Sequence, residues 1–346
     1  MNNYNAKEVT VVVTPRDRYT GALTNIKRLY QHTDPNKFDL IVLDLGYPRK
    51  QILEIGQYLS SQPNAQIVKL GKVIPTEALR TIRGEINTPY TALIDNDSHV
   101  TENWLEPLLE AAKEHDAAIV SPVTLETSGV DEGSNLRNHL FTTKIHVVSV
   151  DNTPYLIEHK TFRRADPAKL PKEITPSEAF ELHGVLFNTK DLKDIEIPQM
   201  TIREHLDIGM QLINKGRPII TQPKSIIIFD NLGTRASLSD LEFFNRRWNG
   251  RITKQSSDLF KKRWGYAFYS EPAIYNWALR RRIFLILRWM YIPIPVANKI
   301  DRLIGAVRRR LFPIWDPMPD AEQKSESLYN RLGNKFPDQI SKAEFI

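Results

Sequence analysis

Short apolar runs and amphipathic segments alternate through the first third of the chain, and this rotation limits the fold more than any other feature. Val9 to Thr14 is β-branched and nearly all apolar, the composition of a strand covered on both faces. A helix is predicted over 20–32, where Ala22, Leu23, Ile26, Leu29 and Tyr30 recur at helical spacing. The pattern then repeats. Strands are predicted over 38–45, 65–70, 90–94 and 117–122, with helices over 48–60, 76–86 and 102–115. Strand and helix in strict turn require right-handed crossovers, hence an α/β fold with a mostly parallel sheet. Ligands of such sheets gather beyond the carboxyl ends of the strands.

From Glu126 to Ser177 the pattern loosens into charges, Asn and Pro. An insertion or mobile loop region over the sheet is expected there, rather than a separate domain. Order returns with a strand over 180–188 and a helix over 203–215, which Gly216 closes at a natural C-cap position. A strand over 219–229 is interrupted by Pro223, and beyond Asn231 the chain turns helical and basic. The expected organisation is one domain over 1–235, divided into halves at 122/123, then a basic helical appendage over 236–316 and a polar tail over 317–346. No internal repeat is present.

The 346 residues can bury a substantial core. The chain has no cysteine, which excludes disulfides, thiolate metal sites and a cysteine nucleophile. A net charge of +6 suggests an anionic partner without naming it. Met1 to Asn5 is polar and lacks the basic-then-apolar plan of a signal peptide. The longest apolar stretch, Ile283 to Ala297, is broken by Arg288, Pro293 and Pro295, too early for a membrane span. A cytoplasmic location is expected, with peripheral contact at the inner face of a membrane as the alternative.

The sharpest local signal is Leu93-Ile94-Asp95-Asn96-Asp97, two carboxylates two residues apart just after a buried strand. Beyond the strand the backbone turns, so both side chains can converge above the sheet. Such a pair offers hard oxygen ligands to Mg²⁺ or Mn²⁺, ions that keep positions open for substrate phosphates. A solvated turn beside a helix cap uses the same residue types. Position after the fourth strand favours the metal reading.

At this point the sequence resembles the family 2 glycosyltransferases, whose fold is called GT-A. The resemblance spans about residues 8 to 265 and rests on ordered features. Val9-Thr10-Val11-Val12-Val13-Thr14-Pro15 is similar to the opening strand, and Ile41-Val42-Leu43-Asp44-Leu45-Gly46 to the second. Glu77 to Arg80, then Thr88 to Asp97, resemble the helix, strand and metal motif, with Trp104-Leu105 following. His183-Gly184-Val185-Leu186-Phe187 resembles the acceptor-side strand. Arg203-Glu204-His205-Leu206-Asp207-Ile208-Gly209, with Lys215-Gly216-Arg217-Pro218, resembles the helix that bears the catalytic base.

The resemblance implies a Mn²⁺- or Mg²⁺-dependent, inverting transfer from a UDP-, GDP- or dTDP-sugar to a saccharide or lipid-linked acceptor, in bacterial cell-surface polysaccharide or glycolipid synthesis. Residues 1–122 would bind the nucleotide sugar and 123–235 the acceptor. Asp97 and Asp95 would hold the metal, with Asp230 where the family often has a histidine. Thr14, Arg16, Asp44, Arg80, Asp95 and Asn96 would face the donor, Asp44 reading the base and Arg80 the diphosphate. Arg16 as surface charge, Asp44 as a turn residue and Arg80 as a solvated helix residue are the competing readings. For the base, Asp207 and Glu204 are both candidates. They stand at i and i+3, on one helical face, and Glu204 alternatively complements the helix dipole. His205 points elsewhere on the helix, and His183 reads as structural or as an acceptor or metal contact. A non-catalytic nucleotide-sugar-binding protein on the same fold is the rival reading.

Between Arg280 and Arg310, nine basic residues stand against one acid, Asp301, interleaved with Phe284, Trp289, Tyr291 and aliphatics. An interfacial helix on an anionic bilayer has this composition, with Trp289 and Phe284 among the headgroups. A helical appendage packed on the catalytic domain has it too. Nucleic acid is disfavoured as a partner, because the acidic cluster would repel phosphate.

Overall fold

The computed structural model describes residues 7–126, 136–230 and 236–313. The first half follows the expected rotation. It runs β1 (Val9–Thr14), α1 (Ala22–His32), β2 (Phe38–Asp44), α2 (Arg49–Leu59), β3 (Ala65–Lys69), α3 (Pro75–Ile82), β4 (Tyr90–Asp95), β5 (Ser98–Val100), α4 (Leu105–Glu114) and β6 (Ile119–Glu126). Strands β1, β2, β3 and β4 are mutually parallel, and Thr14 ends β1 directly opposite Asp95 at the end of β4. Val11, Val12, Val13, Leu40, Val42, Leu43, Ala92 and Ile94 are buried together in the main core. Their continuous apolar character is what permits helices on both faces of these strands.

The region 126–177, expected as loop, is a correction. It holds β7 (Arg137–Leu140), β8 (Thr143–Val150), β9 (Thr153–Lys160) and β10 (Thr175–Pro176). Strands β8 and β9 form a separate antiparallel hairpin over its full length. Asp151 and Asn152 turn it, both at positive φ (47° and 62°), as a two-residue hairpin turn requires. Residues 127–135 of that region lie outside the described residues.

The chain continues through β11 (Gly184–Asn188), α5 (Thr189–Asp194), α6 (Glu204–Asn214) and β12 (Ile219–Phe229). The main sheet runs β10-β12-β6-β11-β4-β1-β2-β3, with β5 beside β12 and β7 beside β6. Strand β11 is antiparallel to both β4 and β6. The fold is therefore mixed α/β, with a mostly parallel sheet and flanking helices, consistent with GT-A. Pro223 does not end β12. The pairing with β6 shifts register between Gln222 and Ile226 and resumes, as a proline at a bulge allows.

The helical region comprises α7 (Leu238–Arg247), α8 (Gly250–Trp264), α9 (Glu271–Trp289) and α10 (Ile294–Leu311). Phe243 and Phe260 belong to the main core, so α7 and α8 are integral to the α/β body. Asp240 ties α7 down. It completes a capping box with Ser237 and accepts hydrogen bonds from the backbone N–H of Tyr19 (2.7 Å) and Thr20 (3.1 Å), just before α1. Helices α9 and α10 pack on each other, and Ala278 and Leu285 of α9 share a second buried cluster with Phe244 of α7. Residues 314–346, including the expected polar tail, lie outside the described residues.

Candidate active site

The site forms where β1 and β4 end side by side. Asn96 organises it. Its side chain donates to the carbonyls of Arg18 (2.8 Å) and Tyr19 (3.3 Å) and accepts from the N–H of Arg16 (3.2 Å). Asn96 is fully buried, and these bonds clamp the loop after β1. That loop then delivers two arginines to the acidic motif.

Arg16 joins two carboxylates. Its Nε lies 3.3 Å from Asp95 Oδ2 and its Nη2 lies 3.3 Å from Glu204 Oε1. Burial works against this charge, but Asp95 and Glu204 outweigh it and hold the guanidinium above its ordinary pKa. Asp95 Oδ2 also lies 3.1 Å from His183 Nδ1. Arg247, at the end of α7, braces the group by donating to the Arg16 carbonyl (2.9 Å) and pairing with Asp17.

Arg18 joins the other pair. Its Nη2 donates to the Asp230 carbonyl (2.6 Å) and carboxylate (3.3 Å), and its Nε lies 3.6 Å from Asp97 Oδ2. Asp230 reaches Asp97 because β12 pairs with β5, and the Asp230 N–H donates to the Asp97 carbonyl at 2.8 Å. Asp97 Oδ1 is buried without a hydrogen-bond partner among the described residues. Burial, reinforced by the negative charge of Asp95, pushes the Asp97 carboxyl up to about 6 against the pull of Arg18.

A divalent cation fits this set only in part. The orphaned Asp97 oxygen is a ready hard ligand, and a divalent charge would reverse its raised pKa. Asp95, Asp97 and Asp230 do not together bring ligand atoms within 4.8 Å of one another. Among the described residues, the groups of three whose ligand atoms lie within 4.8 Å of one another are His139–Glu181–His183 and Glu158–Glu181–His205. The structure does not bring the expected set of Asp95, Asp97 and Asp230 together. Asp95 is held by Arg16 and His183, and Asp230 by Arg18.

Other expected residues divide clearly. Thr14, Arg16 and Asp95 line a narrow, mostly apolar cleft of about 30 Å³ with Leu43, Leu79 and Leu182. Asp44 takes its turn role, its Oδ1 accepting from the N–H groups of Gly46 (2.9 Å) and Tyr47 (2.8 Å). Arg80 is exposed on α3, whose buried face is Thr76, Ala78, Leu79 and Ile82, so it does not enter that cleft. Asp207 is enclosed by other side chains. It is fully buried, with Arg263 Nε at 2.7 Å, Trp264 Nε1 at 2.8 Å and Gln211 Nε2 at 2.7 Å. Glu204 differs: its Oε2 is buried with no hydrogen-bond partner among the described residues. His205 instead pairs with Glu158 at 3.2 Å.

Arg203 sets the start of α6. It holds φ 64°, a left-handed value that costs an L-residue energy. Its guanidinium stacks over Phe260 (3.9 Å) and Phe268 (4.6 Å), which offsets that cost and fixes where Glu204 enters the site.

On the other side of Arg16 opens a cavity of about 560 Å³, reaching from His139, Lys160, Glu181 and His183 to Trp248, Trp277, Arg280 and Arg281 on the helical region. Sequence reasoning missed Arg18, His139, Glu181 and Arg247. Arg18 carried a signal, standing two residues beyond Arg16 as Asp97 stands beyond Asp95. Glu181 stands at the same interval before His183. His139 and Arg247 had none, since they arrive from distant elements.

An α/β body with an acidic motif at its strand ends defines the class, a GT-A-type fold. Residues 6–170, a little under half of the chain, match the model of the glycosyl transferase family 2, and this match supports a glycosyltransferase. No curated protein matches the chain. Among solved structures, GalNAc-T7 with UDP, GalNAc and Mn²⁺ aligns at 13% identity and a TM-score of 0.48, covering 70% of this chain. The alignment spans 48% of that protein's length. Residues 1–349 of S. aureus TarS, with UDP-GlcNAc, align at 11% identity and a TM-score of 0.47, covering 96% of this chain and 97% of that one. Similarity at this level says nothing of substrate or metal.

Proposed function

We propose that this chain transfers a sugar from a nucleotide-sugar donor to an acceptor hydroxyl. The observation that carries the reading is Arg16 at the strand ends, paired with Asp95 and Glu204 and lining both a narrow apolar cleft and a large polar cavity. The nucleotide enters from the cleft side, where its base requires the walls to part. The saccharide or lipid-linked acceptor enters the cavity. Glu204 is the base of an inverting transfer, because its free Oε2 can accept the proton of an attacking hydroxyl. Arg16, between Asp95 and Glu204, holds donor and acceptor ends of the reaction in register. When bound at Asp97, a Mn²⁺ or Mg²⁺ ion supplies positive charge to the departing diphosphate. Arg18 then has to withdraw from Asp97.

A thermal-shift screen of UDP-, GDP- and dTDP-sugars with Mn²⁺ tests this reading, since a ligand that binds only the folded state raises Tm. One donor class should raise it. A melting temperature unmoved by all three contradicts the proposal. One observation favours the rival, a protein that binds nucleotide sugars without turning them over: Arg18 already bridges Asp97 and Asp230.

The basic segment divides its roles. Arg280 pairs with Asp301, Arg282 donates to the Trp248 carbonyl and Arg308 to Asn276. Phe284 is buried and cannot reach headgroups, which corrects that expectation. Along α10, however, Leu303, Val307 and Leu311 recur every four residues and are exposed, flanked by exposed Lys299, Arg302 and Arg310. No described helix is long and apolar enough to cross a membrane. The α10 face is the part of the segment we assign to peripheral contact with an anionic bilayer.

A further inference from the structure

We propose that His139, Glu181 and His183 form a second cation site, distinct from Asp97, for a divalent transition ion such as Zn²⁺. The three offer ligand atoms within 4.8 Å of one another. Two imidazoles and one carboxylate favour borderline ions of this kind over Mg²⁺.

The surroundings are those of a metal site. An imidazole that binds metal through one nitrogen usually has its other nitrogen held by a carboxylate. Both histidines meet this condition: His139 Nδ1 is hydrogen-bonded to Glu126, and His183 Nδ1 to Asp95 at 3.1 Å. Each ring therefore keeps Nε2 for an ion. The rings are also fixed in place. His183 stacks on Phe229 with centroids 4.1 Å apart, and His139 meets His183 edge-on at 5.0 Å. Three protein ligands on the wall of a cavity of about 560 Å³ leave positions open and an entry path.

One group competes for the site. Lys160 ion-pairs with Glu181, so its ammonium neutralises the carboxylate that an ion would use. Binding must displace it. Through His183 the site adjoins Asp95, and through Asp95 it adjoins Arg16, which places the ion on the acceptor side of the proposed reaction centre.

Calorimetric titration of metal-free, full-length protein with Zn²⁺ alone tests the proposal. No nucleotide is present, so the result does not depend on whether the chain transfers sugar. Wild type should bind one ion at this site. His139→Ala and His183→Ala should each weaken binding at least 10-fold, and Glu126→Gln by roughly 10-fold. Lys160→Met should tighten it, and Asp97→Asn should leave it unchanged. Co²⁺ gives a second readout through the intensity of its visible absorption, which should fall in His183→Ala. If the histidine variants fail to fold, Lys160→Met and the Co²⁺ spectrum of wild type decide. Absence of Zn²⁺ binding by wild type, equal affinity in folded His139→Ala and His183→Ala, loss of binding in Asp97→Asn alone, or unaltered affinity in Lys160→Met would each overturn the proposal.

Discussion

The two sides of Arg16 differ in how they are built. The cleft is narrow, apolar and walled largely by consecutive elements of the first half. The cavity opposite is far larger and draws charged residues from the loop after β1, from β7, β9 and the approach to β11, and from α7, α9 and α10. A local alternation of strand and helix suffices to make the first. The second exists only once distant segments have packed. The comparison predicts that donor binding tolerates changes on the cavity side, and that loss of Arg16 damages both.

The largest effect is expected for Arg16→Ala, which leaves Asp95 and Glu204 buried without their shared cation. Removing one partner of a buried ion pair costs about 3–5 kcal/mol. Denaturant unfolding should show a loss of that order, with turnover abolished. A change below about 1 kcal/mol would mean that solvent already screens the pair.

Glu204 and Asp207 sharpen the contrast. Glu204→Gln should keep its fold and lower kcat by roughly 10²-fold, with donor affinity little changed. Asp207→Asn should do the reverse. Arg263 and Trp264 lose a charged acceptor, so stability should fall by about 1–3 kcal/mol, while the folded fraction keeps most of its turnover. Paired melting curves and steady-state rates would expose an exchange of these roles.

These two residues also mark how far the sequence could be read. Spacing placed both on one face of α6 and stopped there. What separates them is α8, whose Arg263 and Trp264 enclose Asp207, and no local pattern announces that contact. Strands β1, β2 and β4 were legible because their apolar runs are nearly unbroken. The β8–β9 hairpin was not, because charges and Asn obscured its alternation. Yet Val150-Asp151-Asn152-Thr153 carried a two-residue turn signal that was available. Within the site, Asp97 and Arg16 were legible from position after a strand. Arg18 was overlooked although its spacing from Arg16 matches that of Asp97 from Asp95, since the spacing alone does not show that the side chain lies between Asp97 and Asp230.

Asp97 gives a pH-dependent effect of middle size. Its carboxyl stands near 6 in the folded protein against an ordinary 3.8, so the folded state holds a proton that the unfolded chain has released. Stability of the metal-free protein should therefore fall as pH rises from about 4 to about 6, and stay reduced above that window. Asp97→Asn should abolish the fall. Chemical denaturation at several pH values checks this, and an identical profile in the variant would mean that another group titrates. In wild type, Mn²⁺ should bind more weakly below about pH 6, where the proton competes with it.

The smallest effect concerns α10. Leu303→Ser and Leu311→Ser remove exposed apolar groups and should weaken co-sedimentation with anionic vesicles by roughly 1 kcal/mol each. Donor binding should not change, because α10 lies on the cavity side. Wild-type protein that ignores anionic vesicles at low salt would leave α10 without this role.

The claim that the strand-end cluster is a reaction centre, and not merely a binding site, rests most directly on release of nucleoside diphosphate. Wild type and Asp97→Ala should be compared at saturating donor with Mn²⁺, using the donor class that the thermal-shift screen selects. The account predicts steady release by wild type and its loss in the folded variant. Undiminished release by Asp97→Ala, or no release by wild type that demonstrably binds donor and is supplied with acceptor, would contradict it.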